Sequence, residues 1–126
     1  MARGKYVVKT GSSGLYRFNL YASNGRVVAT SRSFPSAQAC LRGMEALRAA
    51  CGTADLEDQS LAGYTGKTPP KFELYVDRAG EFRFRLRLSG GEILISSEGY
   101  LSKSNCLRGI RSVCRHAPLA DLLWEE

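Results

Sequence analysis

The chain has 126 residues, 44% of them hydrophobic and 24% charged, which excludes a disordered or collagen-like polymer and suits one domain burying roughly two thirds of its unfolded surface. Eighteen basic residues against twelve acidic ones give a net charge of +6, and thirteen of the eighteen are arginine. Such a balance permits an anionic partner, since arginine forks suit phosphate and carboxylate, but solvated surface charge has the same composition.

No apolar run is long enough for a membrane-spanning helix, and the first residues lead into no signal-like core, so no membrane association is expected and the expected location is the cytoplasm.

Residues 5–60 align with residues 71–126 without a gap, and sixteen of the 56 positions are identical, where unrelated segments would share about three. Among the identities are Lys5/Lys71, Arg17/Arg83, Phe18/Phe84, Ser31/Ser97, Ser36/Ser102, Cys40/Cys106, Gly43/Gly109 and Asp55/Asp121. The chain is a tandem duplication joined by a Gly- and Pro-containing connector, residues 61–70.

Each copy opens with alternating residues. In copy two, Phe72, Leu74 and Val76 fall on one side of the first strand and Lys71, Glu73 and Tyr75 on the other. The second strand sets Phe82, Phe84, Leu86 and Leu88 against Arg83, Arg85 and Arg87. Asn24-Gly25 and Gly90-Gly91 supply tight hairpins into a third strand. Ser36 and Ser102 are N-caps of helices with period near 3.6, whose apolar faces carry Cys40, Met44, Leu47 and Cys51 in copy one and Cys106, Ile110, Val113 and Cys114 in copy two. Gly52 and Pro118 end the helices, and Ala-Asp-Leu opens a short final strand in each copy.

The fold class is therefore α+β, built from two tandem β-β-β-α-β repeats. One copy is too small to cover its own sheet, so the two are expected to share one core, making residues 1–126 a single folding unit. Both helices then lie on one face of the sheet and leave the other open. That open face carries Lys5, Lys9, Arg17, Asn19 and Tyr21 from copy one, and Lys71, Glu73, Tyr75, Arg83, Arg85 and Arg87 from copy two.

Read as a string, Lys71-Phe72-Glu73-Leu74-Tyr75-Val76-Asp77, Gly80-Glu81-Phe82-Arg83-Phe84-Arg85-Leu86, Ser97-Glu98-Gly99-Tyr100 and Gly109-Ile110-Arg111-Ser112-Val113 resembles the YegP-like family of small bacterial proteins of unassigned function. The resemblance implies that the two units form one continuous, mostly antiparallel sheet and exchange their final strands. Copy one diverges, with Gly11, Ser31-Arg32-Ser33-Phe34 and Ala37 where copy two has Asp77, Ser97-Glu98-Gly99-Tyr100 and Lys103.

No nucleophile elbow, phosphate loop or two-His metal motif is present, so neither catalysis nor a required cofactor or metal is expected. His116, the only histidine, falls at the end of the second helix and is expected to contact its terminal carbonyls. Glu98 beside Tyr100 and Lys103 is either a proton-transfer group or a tie for backbone donors at the helix entry. The four cysteines have no zinc spacing and read as small buried apolar residues, with the duplication leaving open whether Cys40 and Cys106 approach each other.

The sequence thus points to a binding or interaction module. The sharper alternative is single-stranded nucleic-acid binding on the basic face, with Arg17, Arg83, Arg85 and Arg87 on phosphates and Tyr21 and Tyr75 stacking on bases. Half of the twelve acidic residues lie in the two final strands, and if those strands flank the arginine strands they neutralise that face. Because the duplication replaces a second chain, a monomer is expected.

Overall fold

The structure is a computed structural model and describes residues 3–125. Repeat one runs β1 (Lys5–Thr10), β2 (Tyr16–Tyr21), β3 (Val27–Ser31), α1 (Ala37–Ala50) and β4 (Asp55–Asp58). Repeat two runs β5 (Lys71–Val76), β6 (Phe82–Arg87), β7 (Ile93–Ser96), α2 (Lys103–His116) and β8 (Asp121–Glu125). These are the elements that the two hydrophobic periods mark out. Gly25 and Gly91 take φ of 84° and 91° in the β2–β3 and β6–β7 turns, a region that a side chain would strain. The Ser36 hydroxyl accepts the Ala39 N–H at 3.1 Å and the Ser102 hydroxyl accepts the Asn105 N–H at 3.2 Å, starting the two helices.

All eight strands form one sheet in the order β4-β5-β6-β7-β3-β2-β1-β8. The repeats join at its centre, where β3 and β7 pair antiparallel with Thr30 opposite Ser96. Each final strand crosses to the other repeat: β4 lies parallel to β5, and β8 lies parallel to β1. That is the exchange which the family resemblance implies. It makes each repeat's first strand depend on the other repeat for its outer neighbour.

The helices cover one sheet face, and a contiguous core draws on both repeats, including Tyr6, Phe18, Leu20, Met44 and Leu47 from one and Leu74, Phe84, Leu86, Ile95 and Val113 from the other. Duplicated ring pairs sit under the helices, Phe18 stacked on Phe34 at 6.3 Å and Phe84 on Tyr100 at 6.4 Å. Gly43 and Gly109 explain how the helices come so close. A Cβ on Gly43 would fall 2.6 Å from the Phe34 ring, and one on Gly109 would fall 2.5 Å from the Tyr100 hydroxyl.

Ser31 and Ser97 are identical in the two repeats for a related reason. Each buried hydroxyl accepts a backbone N–H from the neighbouring strand, Phe18 or Phe84, at 2.9 Å. It then donates to the next residue's carbonyl, satisfying backbone groups that the end of the strand ladder leaves open.

The helix faces differ in detail from the periodic reading. Ala50 and Gly109 complete the buried stripes, while Cys51, Ile110 and Cys114 are only half-buried at the margins. Val76 and the whole of β8 are exposed, because Val76 ends its strand and β8 is an outer strand beyond the helices' cover. Among the described residues no helix is long and apolar enough to cross a membrane.

Candidate functional site

Strand pairing carries one row of residues across the whole open face in the order Glu57, Glu73, Arg85, Ser96, Thr30, Asn19, Val7, Leu123. Charge fills one end of the row and hydrocarbon the other. The duplicated framework thus carries two unlike surfaces side by side.

At the charged end, Glu73 is buried and accepts hydrogen bonds from Arg85 Nε at 2.7 Å and from Arg87 Nε and Nη2 at 3.1 Å each. Lys71 Nζ bridges Glu73 at 3.3 Å and Glu57 at 2.8 Å. Glu57 is also buried and takes the Lys67 backbone N–H and the Gln59 amide, both at 2.6 Å, so the connector folds over it. Asp77 holds Arg83 Nε at 2.6 Å.

These contacts set the charge states. Burial opposes the Glu73 carboxylate, but hydrogen bonds from Arg87, Arg85 and Lys71 outweigh it and hold its pKa down at about 2. The Lys71 ammonium and the Gln59 amide lower Glu57, and the Arg83 guanidinium lowers Asp77. The network is a set of charge-assisted bonds between carboxylates and cations of its own chain.

The candidate interface residues therefore divide. Arg83, Arg85 and Arg87 lie together on β6 as the alternation predicts, but each is bound to a carboxylate. Tyr75 has the Arg85 guanidinium over its ring at 4.3 Å from the centroid, which takes up one stacking surface. Arg17 and Tyr21 lie on β2 in the other half of the sheet. Arg17 is exposed and donates to the Ser33 hydroxyl at 2.9 Å, while Tyr21 is half-buried opposite Lys5.

The acids of the final strands neutralise less of β6 than their number suggests. Strand exchange sets β4 beside β5 and β8 beside β1, one strand away from the arginines. Glu57 acts through Lys71; Asp58 turns to Lys103 Nζ at 2.9 Å; Glu125 meets Lys9 at 3.6 Å. The residue that quenches the stripe is Glu73, visible in the alternation as a lone acid facing the arginines, though its register against Arg85 comes only with the fold.

Other candidate chemistry is dispersed. Glu98 is exposed beside Arg26 at 4.0 Å, Lys103 is taken by Asp58, and Tyr100 lies under α2 with burial raising its hydroxyl pKa. Glu98 and Tyr100 thus share the lining of one cleft, while Lys103 turns away to Asp58. His116 Nδ1 meets the Ser112 carbonyl at 2.8 Å, as expected at a helix end, and Nε2 accepts the Ser23 N–H at 3.2 Å, pinning the β2–β3 turn.

An open cleft of about 570 Å³ lies between that turn and α2, lined by Arg26, Glu98, Tyr100, Asn105 and Arg108. Cys40 and Cys106 are buried in the core, where burial pushes both thiols up to about 11. Among the described residues no three His, Cys, Asp or Glu side chains gather to hold a metal.

The hydrocarbon end of the row leads to β8. In this outer strand Leu122, Leu123 and Trp124 are 41%, 49% and 48% exposed. Leu123 stands beside Val7 on the open face, and Leu122 and Trp124 align with Tyr6 and Val8 on the helix side. Leu122 closes a groove of about 310 Å³ against Leu41 and Met44 of α1. The Asp121 N–H donates to the Gly4 carbonyl, so the parallel ladder directs the N–H and C=O of Leu122 and Trp124 away from the sheet.

Comparison with known proteins agrees with this architecture. The model of a domain of unknown function, DUF1508, matches twice, over residues 12–58 and 77–123. A UPF0339 protein of Pseudomonas aeruginosa is 28% identical over 118 residues, 94% of each chain. A UPF0339 protein of Stutzerimonas stutzeri is 55% identical over 47 residues, 37% of this chain and 42% of that relative. Another, of Agrobacterium fabrum, is 53% identical over 51 residues, which are 40% of this chain but 82% of the relative, so that protein is little longer than one repeat. The solution structure of yegP from E. coli, a protein of unknown function, superposes with a TM-score of 0.81 at 21% identity, covering 99% of this chain and 95% of the other. Two copies of one motif, locked into a single sheet by exchanged strands, make this chain a tandem-repeat member of the YegP-like DUF1508 family, whose function is unassigned.

Proposed function

We propose that this chain is a non-catalytic protein-binding module that works through the outer edge of β8 as a cytoplasmic monomer. The observation that carries the reading is the exposure of three consecutive large apolar residues, Leu122, Leu123 and Trp124, on an outer strand whose outward backbone groups pair with no other strand among the described residues. At the opposite outer strand, the matching position of Leu123 is Glu57, buried beneath the connector.

An extended segment of another protein fits this edge. It would pair with the backbone of Leu122 and Trp124 and place apolar side chains beside Leu123 on one face and in the Leu122 groove on the other. Asp121 and Glu125 bracket the apolar trio, which favours basic residues at the ends of the partner segment. Antiparallel pairing of two β8 strands centred on Leu123 would instead set Asp121 against Glu125, so like charges oppose self-association. Nucleic acid fits less well, because the β6 arginines already hold carboxylates.

The test uses Trp124, the chain's single tryptophan. Extended peptides with an alternating apolar core and lysine ends, selected from a displayed library, should shift its emission to the blue. Leu122→Pro, which removes an outward N–H and leaves the β1 pairing intact, should abolish binding. No selectable peptide, or equal binding by the proline variant, refutes the reading. Salt-sensitive binding of single-stranded RNA with no peptide binding would favour the basic face instead.

A further inference from the structure

We propose that α2 and the β2–β3 turn form a binding site for a small organic phosphate with a hydroxyl-bearing body, a sugar phosphate, with the phosphate on Arg108, Arg111 and Arg115 and the body in the adjacent cleft. The three arginines are spaced i, i+3 and i+7 along one side of α2. With Ser112 they line a notch of about 270 Å³. Arg108 and Ser112 also line the cleft of about 570 Å³ beside the turn, so notch and cleft are one continuous depression. The cleft alone falls within the roughly 300–1,000 Å³ of small-molecule sites.

Charge points to phosphate. All three arginines are exposed, and among the described residues none of them pairs with a carboxylate. On β6, by contrast, Asp77 and Glu73 already hold the three guanidiniums. Like charges on neighbouring turns of one helix repel each other until an anion lies between them. Three guanidinium forks and a hydroxyl suit the several oxygens and double charge of a phosphate better than the single charge of a carboxylate.

The cleft suits hydroxyl groups. Glu98 is an acceptor there, Asn24 and Asn105 donate and accept, and the Tyr100 hydroxyl lies against Gly109 in the wall. Glu98 lines the cleft and not the notch, which keeps its charge apart from the phosphate. Tyr100 is the one aromatic residue of the lining, and its ring is stacked on Phe84 and packed against Gly109, which takes up the surface a nucleobase would need. The walls are also fixed in place. His116 Nε2 accepts the Ser23 N–H at 3.2 Å, tying the turn of repeat one to the end of α2 in repeat two.

The duplication provides an internal comparison. A matching depression of about 370 Å³ between the β6–β7 turn and α1 is lined by Ala46, Ala49, Gly90 and Glu92, where this site has Ser112, Arg115, Asn24 and Arg26. Glu45 stands in place of Arg111, and Phe34 and Ala39 stand in place of Tyr100 and Asn105. The backbone requirements are the same at both places, so they do not account for a cationic and polar set at only one of them.

The experiment follows backbone-amide NMR signals of the full chain during titration with inorganic phosphate, glucose 6-phosphate, glucose and AMP. Both phosphate and glucose 6-phosphate should move the amides from Arg108 to Arg115. Glucose 6-phosphate, binding about tenfold more tightly than inorganic phosphate, should also move Asn24 to Val28 and Glu98 to Leu101, and glucose alone should move neither set. Arg111→Glu with Arg115→Ala, which copies repeat one, should remove phosphate binding while the melting temperature stays within about 3 °C of wild type. Asn105→Ala should weaken glucose 6-phosphate and leave inorganic phosphate unchanged. Unmoved α2 signals at about 10 mM phosphate, undiminished binding by the double variant, or movement centred on β6 would overturn the site. Glucose 6-phosphate no tighter than inorganic phosphate, or AMP tighter than both, would overturn the choice of ligand.

Discussion

Val7 and Glu73 occupy the same position of the two repeats, and both are buried on the open sheet face, each one strand in from an edge, 4% and 3% exposed. One is a hydrocarbon and the other a carboxylate, and their surroundings follow. Around Glu73 stand Arg85, Arg87 and Lys71; around Val7 stand Asn19, Tyr21 and Lys5. A single backbone thus supports two ways of filling one site, an ion network and a largely neutral cluster.

Because Glu73 compensates three cations, Glu73→Gln should destabilise the protein by about 2–3 kcal/mol, read as a lower urea midpoint. Copying the repeat-one solution in full, with Glu73→Val, Arg85→Asn and Arg87→Tyr together, should recover stability to within about 1 kcal/mol of wild type. A triple variant as unstable as the single one would show that the two halves are not interchangeable.

The same carboxylate predicts an acid dependence. Its folded pKa of about 2 lies below the ordinary value of 4.5, so the native state gains from the ionised form. The gain is fully present above about pH 5 and is lost as pH falls toward 2, with Glu57 and Asp77, also lowered, adding to it. Urea midpoints measured from pH 7 to pH 2.5 should be flat at first and then fall, and Glu73→Gln should make the fall shallower.

Glycine inside a helix ordinarily costs about 1 kcal/mol relative to alanine. Gly109→Ala should reverse that sign and destabilise by about 2 kcal/mol, because the new methyl meets the Tyr100 hydroxyl at 2.5 Å and the Phe84 ring at 3.0 Å. Adding Tyr100→Phe removes the nearest atom and should restore part of the loss in thermal melting.

The Asn19 side-chain carbonyl is buried with no hydrogen-bond partner among the described residues, and Asn19 stands opposite Val7 in the β1–β2 pairing. Asn19→Leu should therefore raise stability by about 1 kcal/mol, measured by urea denaturation. A loss of stability would show that this oxygen has a role in the folded protein.

Exchange of the final strands predicts that residues 1–60 and 61–126, expressed separately, will lack circular-dichroism signatures of a folded monomer. Mixing them should restore the fold, since β4 completes β5 and β8 completes β1. Two halves that each fold alone as monomers would contradict the shared core.

The duplication, the five elements of each unit, the capping serines and the hairpin glycines are all determined by local pattern. Alternation, helical period and turn chemistry act over a few residues and repeat at equal spacing, so a single chain displays them twice. The family resemblance added the strand exchange. What only the tertiary structure decided is which side chains meet across that exchange: Glu73 with Arg85 and Arg87, Glu57 with Lys71 and the connector, and the uncovered apolar trio of β8. Each depends on register between segments far apart in the chain, and hydrophobic period carries no information about which charge will stand opposite another until the strands and helices have closed on one core.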